Sequence, residues 1–228
     1  MNTLRVGIKT HQMIIGIALV LMLLTFTTGA RSAEEAGAAA YGFKPVGSIR
    51  GSRALHWLGN SYPGVAAYSK SIVGLCSDSN CLGNKQIRTG YAFGYNVQGS
   101  TYDNAVMHVY YRSPSGTTVS TYLSQITIPE NSWYDFQVLY SNSAKRWEAW
   151  VSGIPRWNTS TNPGWTSGSY AVVGAESVSN PYFDVTGVVM NYKVGTGPWT
   201  LYDYSTELEV GACISRQTNY GFHAQVVC

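Results

Sequence analysis

Charge is scarce in this sequence: 12% of its 228 residues are Asp, Glu, Lys or Arg. The formal excess of three cations comes from Arg5, Lys9 and Arg31, in an opening stretch with no acid before Glu34. The remainder is close to neutral, which excludes nucleic acid and anionic membrane surfaces as electrostatically driven partners. Helical periodicity is missing beyond the opening segment, so an α-helical fold is excluded. There is no Gly-x-Ser-x-Gly elbow, and neither His56, His108 nor His223 has a neighbouring Ser and Asp set, which removes sequence support for a serine triad. His108, within "VMHVYY", fits a strand-face or core histidine. Calcium needs an acid-dense loop and structural zinc needs closely spaced ligands; neither pattern occurs, so no metal and no cofactor is expected.

What is present begins with targeting. Arg5 and Lys9 precede an apolar run from Met13 to about Phe26, followed by the small residues of "TTGARSAEE". This is the pattern of a signal peptide over residues 1–33, with cleavage after Ala30 or Ala33. Retention as a membrane anchor is the alternative, since the run approaches spanning length. No second such run follows, so no stable membrane insertion is expected after cleavage. Residues 34–40, rich in Ala and Gly, are expected to be a flexible spacer, and residues 41–228 one domain. All four cysteines lie in the exported part, and their even number implies two disulfides in an oxidising compartment. Three connectivities are open. Local pairing, Cys76 with Cys81 and Cys213 with Cys228, is the expected one.

From Tyr41 onward, runs rich in Tyr, Trp, Val and Thr are broken by Gly, Asn, Ser and Pro at short intervals, the texture of an antiparallel all-β domain. In "WYDFQVLY", Tyr134, Phe136, Val138 and Tyr140 share one face, with Asp135 and Gln137 on the other. The turn "SNSAK" then leads into "RWEAWVSG", where Trp147, Ala149 and Val151 alternate with Arg146, Glu148 and Trp150, giving a hairpin. Its Arg146 and Glu148 side is expected to meet solvent or a ligand. Eight to eleven strands of this kind favour a two-sheet sandwich of jelly-roll, concanavalin-like type, with a closed barrel as the alternative.

Three kinds of chemistry have candidate residues. Paired acids, as glycosidases use, must face each other across roughly 5 to 9 Å. Along a strand only Glu207 and Glu209 stand two apart, in a segment that suits solvation. A second candidate is a platform built from Trp150, Trp157 and Trp165 with Arg146 and Glu148, within the cluster of four tryptophans that starts at Trp147. Such rings stack on sugars or grip peptides, or else plug the end of a sandwich. Asn158-Thr159-Ser160 is also a glycosylation sequon. The third candidate is Glu176, a lone carboxylate in the apolar run "SYAVVGAESVS", where burial costs free energy unless a partner is supplied.

The last candidate carries a resemblance. "VVGAESV" is similar to the Gly-Gly-Glu-Val segment of the neprosin family of secreted glutamic peptidases. "AAYSKSIVGL" resembles the strand before that family's first catalytic motif, "KQIRTGYAFG" its Ile-Glu-Ala-Gly-Trp motif, and the tail from Cys213 through "NYGFH" to Cys228 its aromatic, Cys-flanked ending. The likeness spans about residues 60 to 228 through short motifs, and extends to uncharacterised secreted proteins with a "W-x-A-x-V-x-G" hairpin. It implies a β-sandwich that hydrolyses peptides with two glutamates, one activating water and one stabilising the tetrahedral intermediate. The second glutamate falls on Glu176. The first falls on Arg88, and a guanidinium cannot act as a base.

The resemblance thus implies an Arg88–Glu176 ion pair and a non-hydrolytic binding or structural protein. An active peptidase would have to pair Glu176 with Gln86, as the related eqolisins pair Gln with Glu, at a displacement of roughly 6 to 7 Å along the strand. A carbohydrate-binding, lectin-like domain is the third expectation, resting on the aromatics and the neutral charge. The ligand expected is accordingly a peptide or a glycan.

Overall fold

Period-two alternation of apolar and polar residues builds strands throughout. The computed structural model describes residues 38–58, 68–79, 81–95, 101–178, 183–218, 220–226 and 228. The expected signal segment lies outside them. Fourteen strands follow in chain order: β1 (Ala38–Leu58), β2 (Tyr68–Cys76), β3 (Gln86–Tyr95), β4 (Thr101–Arg112), β5 (Thr118–Ile128), β6 (Ser132–Ser141) and β7 (Arg146–Val151), then β8 (Ile154–Asn158), β9 (Gly168–Val178), β10 (Asp184–Val194), β11 (Trp199–Leu201), β12 (Thr206–Val210), β13 (Cys213–Gln217) and β14 (Gly221–Gln225). Every pairing is antiparallel.

The first sheet runs β12–β1–β9–β2–β3–β4–β5 and the second β8–β7–β6–β1–β10–β14–β13, with β11 alongside β10. β1 belongs to both. Its first half pairs with β9 and β12 and its second half with β6 and β10. The two halves meet at Gly47 and Ser48, both at positive φ (77° and 51°), where a glycine adopts the left-handed conformation without steric cost. The expected two-sheet sandwich is present. More strands occur than the eight to eleven expected, because β8, β11, β12 and β13 are too short to show alternation.

Between the sheets lies the main core. Val73, Leu75, Ile87, Tyr91, Met107 and Val173 of the first sheet meet Ala54, Phe136, Val138, Trp147, Ala149 and Phe222 of the second. The hairpin of β6 and β7 keeps its expected register, with Tyr140 opposite Trp147. A second cluster, Ala39, Tyr41, Phe43, Ile72, Cys76, Cys81 and Val172, covers the other face of the first sheet. Central strands apolar on both faces give the unbroken runs of "VVGA" and "SIVGL". Both disulfides join the expected partners, Cys76 with Cys81 and Cys213 with Cys228.

Two expectations are corrected. Ala38, Ala39 and Ala40, placed in a flexible spacer, are buried residues of β1, because their small side chains let β1 sit between β9 and β12. Trp165, assigned to a ligand platform, is buried: its indole N–H donates to Tyr111 Oη at 3.1 Å, and its ring lies 4.5 Å from that of Trp147. The Trp147 indole N–H in turn donates to Trp165 O. Trp147→Ala is expected to cost about 3 to 5 kcal/mol, seen as a lower urea midpoint with an unchanged slope.

Candidate functional site

Strand register decides what can meet on the outer face of the first sheet, the face turned away from the main core. Glu176 of β9 stands directly across from Lys70 of β2, and Tyr41 of β1 stands across from Gly174, one same-face position along. Arg88 of β3 is four positions further, level with Gly74 and Val172. It still reaches the carboxylate, because Gly74 leaves the strand top bare. A Cβ there would lie 2.8 Å from Arg88 Cγ, so the arginine stem crosses where a side chain would have stood. Gly174 (φ +149°) lets β9 approach β1 closely, since a Cβ there would fall 2.1 Å from Ala40 O.

The result is a four-member network. Lys70 Nζ donates to Glu176 Oε1 at 2.9 Å, Arg88 Nη1 lies 3.5 Å from Oε2, and the Tyr41 hydroxyl donates to Oε2. Arg88 Nη1 also donates to Tyr41 Oη at 3.3 Å. The guanidinium sits over the Tyr110 ring at 4.5 Å, and Lys70 Nζ is 5.8 Å from the Tyr122 ring. Little of it meets solvent: the Lys70, Arg88 and Glu176 side chains are 8%, 11% and 15% exposed.

Burial alone would push the Glu176 carboxyl up. Lys70, Arg88 and the Tyr41 hydroxyl outweigh that and hold it well below the usual carboxylate range, so it is ionised at any working pH. Burial, reinforced by the neighbouring carboxylate, pushes the Tyr41 phenol up, and it keeps its proton. His108 lies beside this network and reaches across Gly90 to Ser71 O at 2.8 Å. Burial first, then Lys70, lowers it to about 3. His56, on the core side, meets Ser71 Oγ at 2.9 Å and is lowered to about 3 by burial and by His108. Both imidazoles are therefore neutral.

The structure does not bring Gln86 to Glu176. Gln86 pairs with Cys76, six positions from the level of Lys70 and Glu176, roughly 20 Å along the strand. Its amide donates instead to Gly83 O, two residues past the Cys76–Cys81 loop. Among the described side chains, none with a carboxylate or glutamine amide contacts Glu176. Arg146 bonds the largely buried Glu148 (3.1 Å), Trp157 packs at 6.0 Å from Tyr111, and Trp150 is half-buried with its indole N–H unpartnered. Trp157 and Trp165 both pack on Tyr111, on the other face of the hairpin from Arg146, Glu148 and Trp150, so the five do not form one platform. Glu207 and Glu209 are exposed, and Glu209 accepts from Ile214 N. No cluster of metal-ligating side chains occurs among the described residues.

Lys70 and Tyr41 were not singled out from sequence. Lys70 could have been, because a lone cation inside the apolar run "YSKSIVGL" poses the same question as Glu176. Tyr41 carried no signal of its own.

Solved structures place this fold. The chain is similar to scytalidoglutamic peptidase with a peptide-based transition-state analog, at a TM-score of 0.55 and 15% identity over 85% of this chain and 99% of that one. It is similar also to SCP-B, a member of the eqolisin family of peptidases, in complex with the tripeptide Ala-Ile-His, at 0.53 and 12% over the same shares. At these identities the likeness is one of fold. No protein-family model and no curated protein matches the sequence.

Two outcomes are expected. Glu176→Gln leaves Lys70 and Arg88 facing each other uncompensated and should cost about 3 to 5 kcal/mol in urea unfolding at pH 7. Acid should also destabilise the wild type. His56 and His108 take up protons in the unfolded chain below about pH 6.5 but stay neutral when folded down to about 3, so stability falls with pH across that window. The slope is roughly 2.7 kcal/mol per pH unit where both differ fully. Glu176 adds to the loss below about pH 4.5, where the unfolded carboxyl protonates and the folded one does not. A urea midpoint flat from pH 7 to 4.5 would show that these histidines are not neutral and buried.

Proposed function

We propose that this chain is a non-hydrolytic peptide-binding protein that works outside the cytoplasm, on a sandwich shared with glutamic peptidases. One observation carries the reading: Glu176 is held ionised by Lys70, Arg88 and Tyr41, with no described acid or glutamine amide against it. A glutamic peptidase needs one group to take a proton from water and another to stabilise the oxyanion. Here the carboxylate is committed to two cations and a phenol, and its lowered proton affinity makes it a poor base. Arg88, at the position where the neprosin resemblance expects the first glutamate, completes the clamp and supplies no base of its own.

Three features support the rest of the reading. The fold neighbours hold a peptide-based analog and a tripeptide. The face around Glu176 carries Tyr110 and Tyr122 half-buried against Arg88 and Lys70, aromatic side chains with polar tips of the kind that line peptide sites. Two disulfides and the leader-like opening segment fit an oxidising compartment. No helix among the described residues is long and apolar enough to cross a membrane.

The test is an assay of the purified chain on a pooled library of internally quenched peptides from pH 3 to 8, read by fluorescence and by mass spectrometry of the products. No cleavage above buffer is expected at any pH. Defined cleavage products would overturn the reading in favour of an active peptidase, and a peptide library that produces no chemical-shift changes in Tyr41, Tyr110 or Arg88 would remove the binding role.

A further inference from the structure

The outer face of the second sheet carries a feature the peptide-binding reading does not use. Trp57 of β1 pairs directly with Trp133 of β6, and their rings lie 5.5 Å apart. Trp150 of β7 stands across from Gln137, on the same face of β6 as Trp133. Trp199 of β11 pairs with Lys193, which pairs with Gly51 of β1, on the same face as Trp57. Four tryptophans from four strands thus share one face. The Trp199 ring packs against β1 because position 51 has no side chain: a Cβ there would fall 2.8 Å from Trp199 Cη2. Trp133 is 45% exposed and Leu201, beyond Trp199, is exposed as well.

Two cations on this face lie against an aromatic ring and a third is paired with an acid. The Arg53 guanidinium lies 4.8 Å from the Trp199 ring and Lys193 Nζ 5.8 Å from it, while Arg146 is bonded to Glu148. Asp135 feels Arg53 as its one favourable charge, though burial dominates and pushes its carboxyl up. Along β1, Gly51 and Trp57 are six residues apart, so the Trp199 ring and the Trp57–Trp133 pair stand roughly 20 Å from each other. The hydrogen-bonding side chains Arg53, Gln137 and Asp135 lie between them on the same face, with Leu55 among them. A strip with aromatic rings at both ends and mostly polar side chains between them complements a chain that is apolar on its ring faces and hydroxylated at its edges.

We propose that this face binds an uncharged polysaccharide, with Trp57, Trp133 and Trp199 as stacking platforms. Native affinity electrophoresis in gels holding hydroxyethylcellulose, pullulan or dextran sulfate tests it, alongside Trp133→Ala and Trp199→Ala variants whose fold is checked by circular dichroism. Retardation by hydroxyethylcellulose or pullulan is expected, weakened about ten-fold or more in each variant. Three results would overturn the proposal: no retardation by either neutral polymer, retardation by dextran sulfate alone, or retardation that both variants retain. Light scattering showing a dimer that Trp133→Ala dissociates would assign the face to a second copy of the chain instead.

Discussion

A single strand shared between two sheets is the constraint on which this molecule rests. β1 is hydrogen-bonded on both sides in its first half and again, to different partners, in its second half. Its turn at Gly47 and Ser48 fixes how the layers face each other and therefore which side chains fill the space between them. The same strand delivers Tyr41 to one outer face and Trp57 to the other. Both surfaces with candidate functions are thus positioned by one continuous backbone.

On the first of those surfaces, electrostatics decides chemistry where fold does not. Sandwiches similar to this one carry out peptide hydrolysis, and an acid at the Glu176 position would be compatible with that activity if its proton affinity were raised. Here it is lowered. Two cations and a phenol converge on one carboxylate, and the glycine at position 74 admits the longer of the two cations. A network of this kind fixes the relative positions of β1, β2, β3 and β9 and leaves little freedom for a proton to move.

Sequence reasoning recovered the class of fold, the hairpin of β6 and β7, the disulfide partners and the contact between Arg88 and Glu176. Alternation, turn residues and local cysteine spacing are short-range signals and carried the first three, while the contact between residues 88 apart came from the family resemblance. It missed β1. "KPVGSIRGSRALHW" contains proline, glycines and three arginines or lysines, and these look like a loop until the residues opposite each position are known. Lys70 and Tyr41 were missed for a related reason: their partners lie 106 and 135 residues away, and only the pairing of β9 with β2 and β1 brings them together. Trp165 misled in the opposite direction. It follows a loop rich in Asn, Ser and Thr, yet its hydrogen bond to Tyr111 and its contact with Trp147 draw it inside.

The course of β1 also has a mechanical meaning. A load applied at the N-terminal side of the domain runs along a strand held by four antiparallel ladders, two in each sheet. Such a load pulls parallel to the strand, so many hydrogen bonds in each ladder resist together, whereas a force at right angles would open them one at a time. Stress would pass from one layer to the other through the bend and through the side chains packed between the sheets. A domain tethered by that end would therefore load the ladders to β9 and β12 before those to β6 and β10.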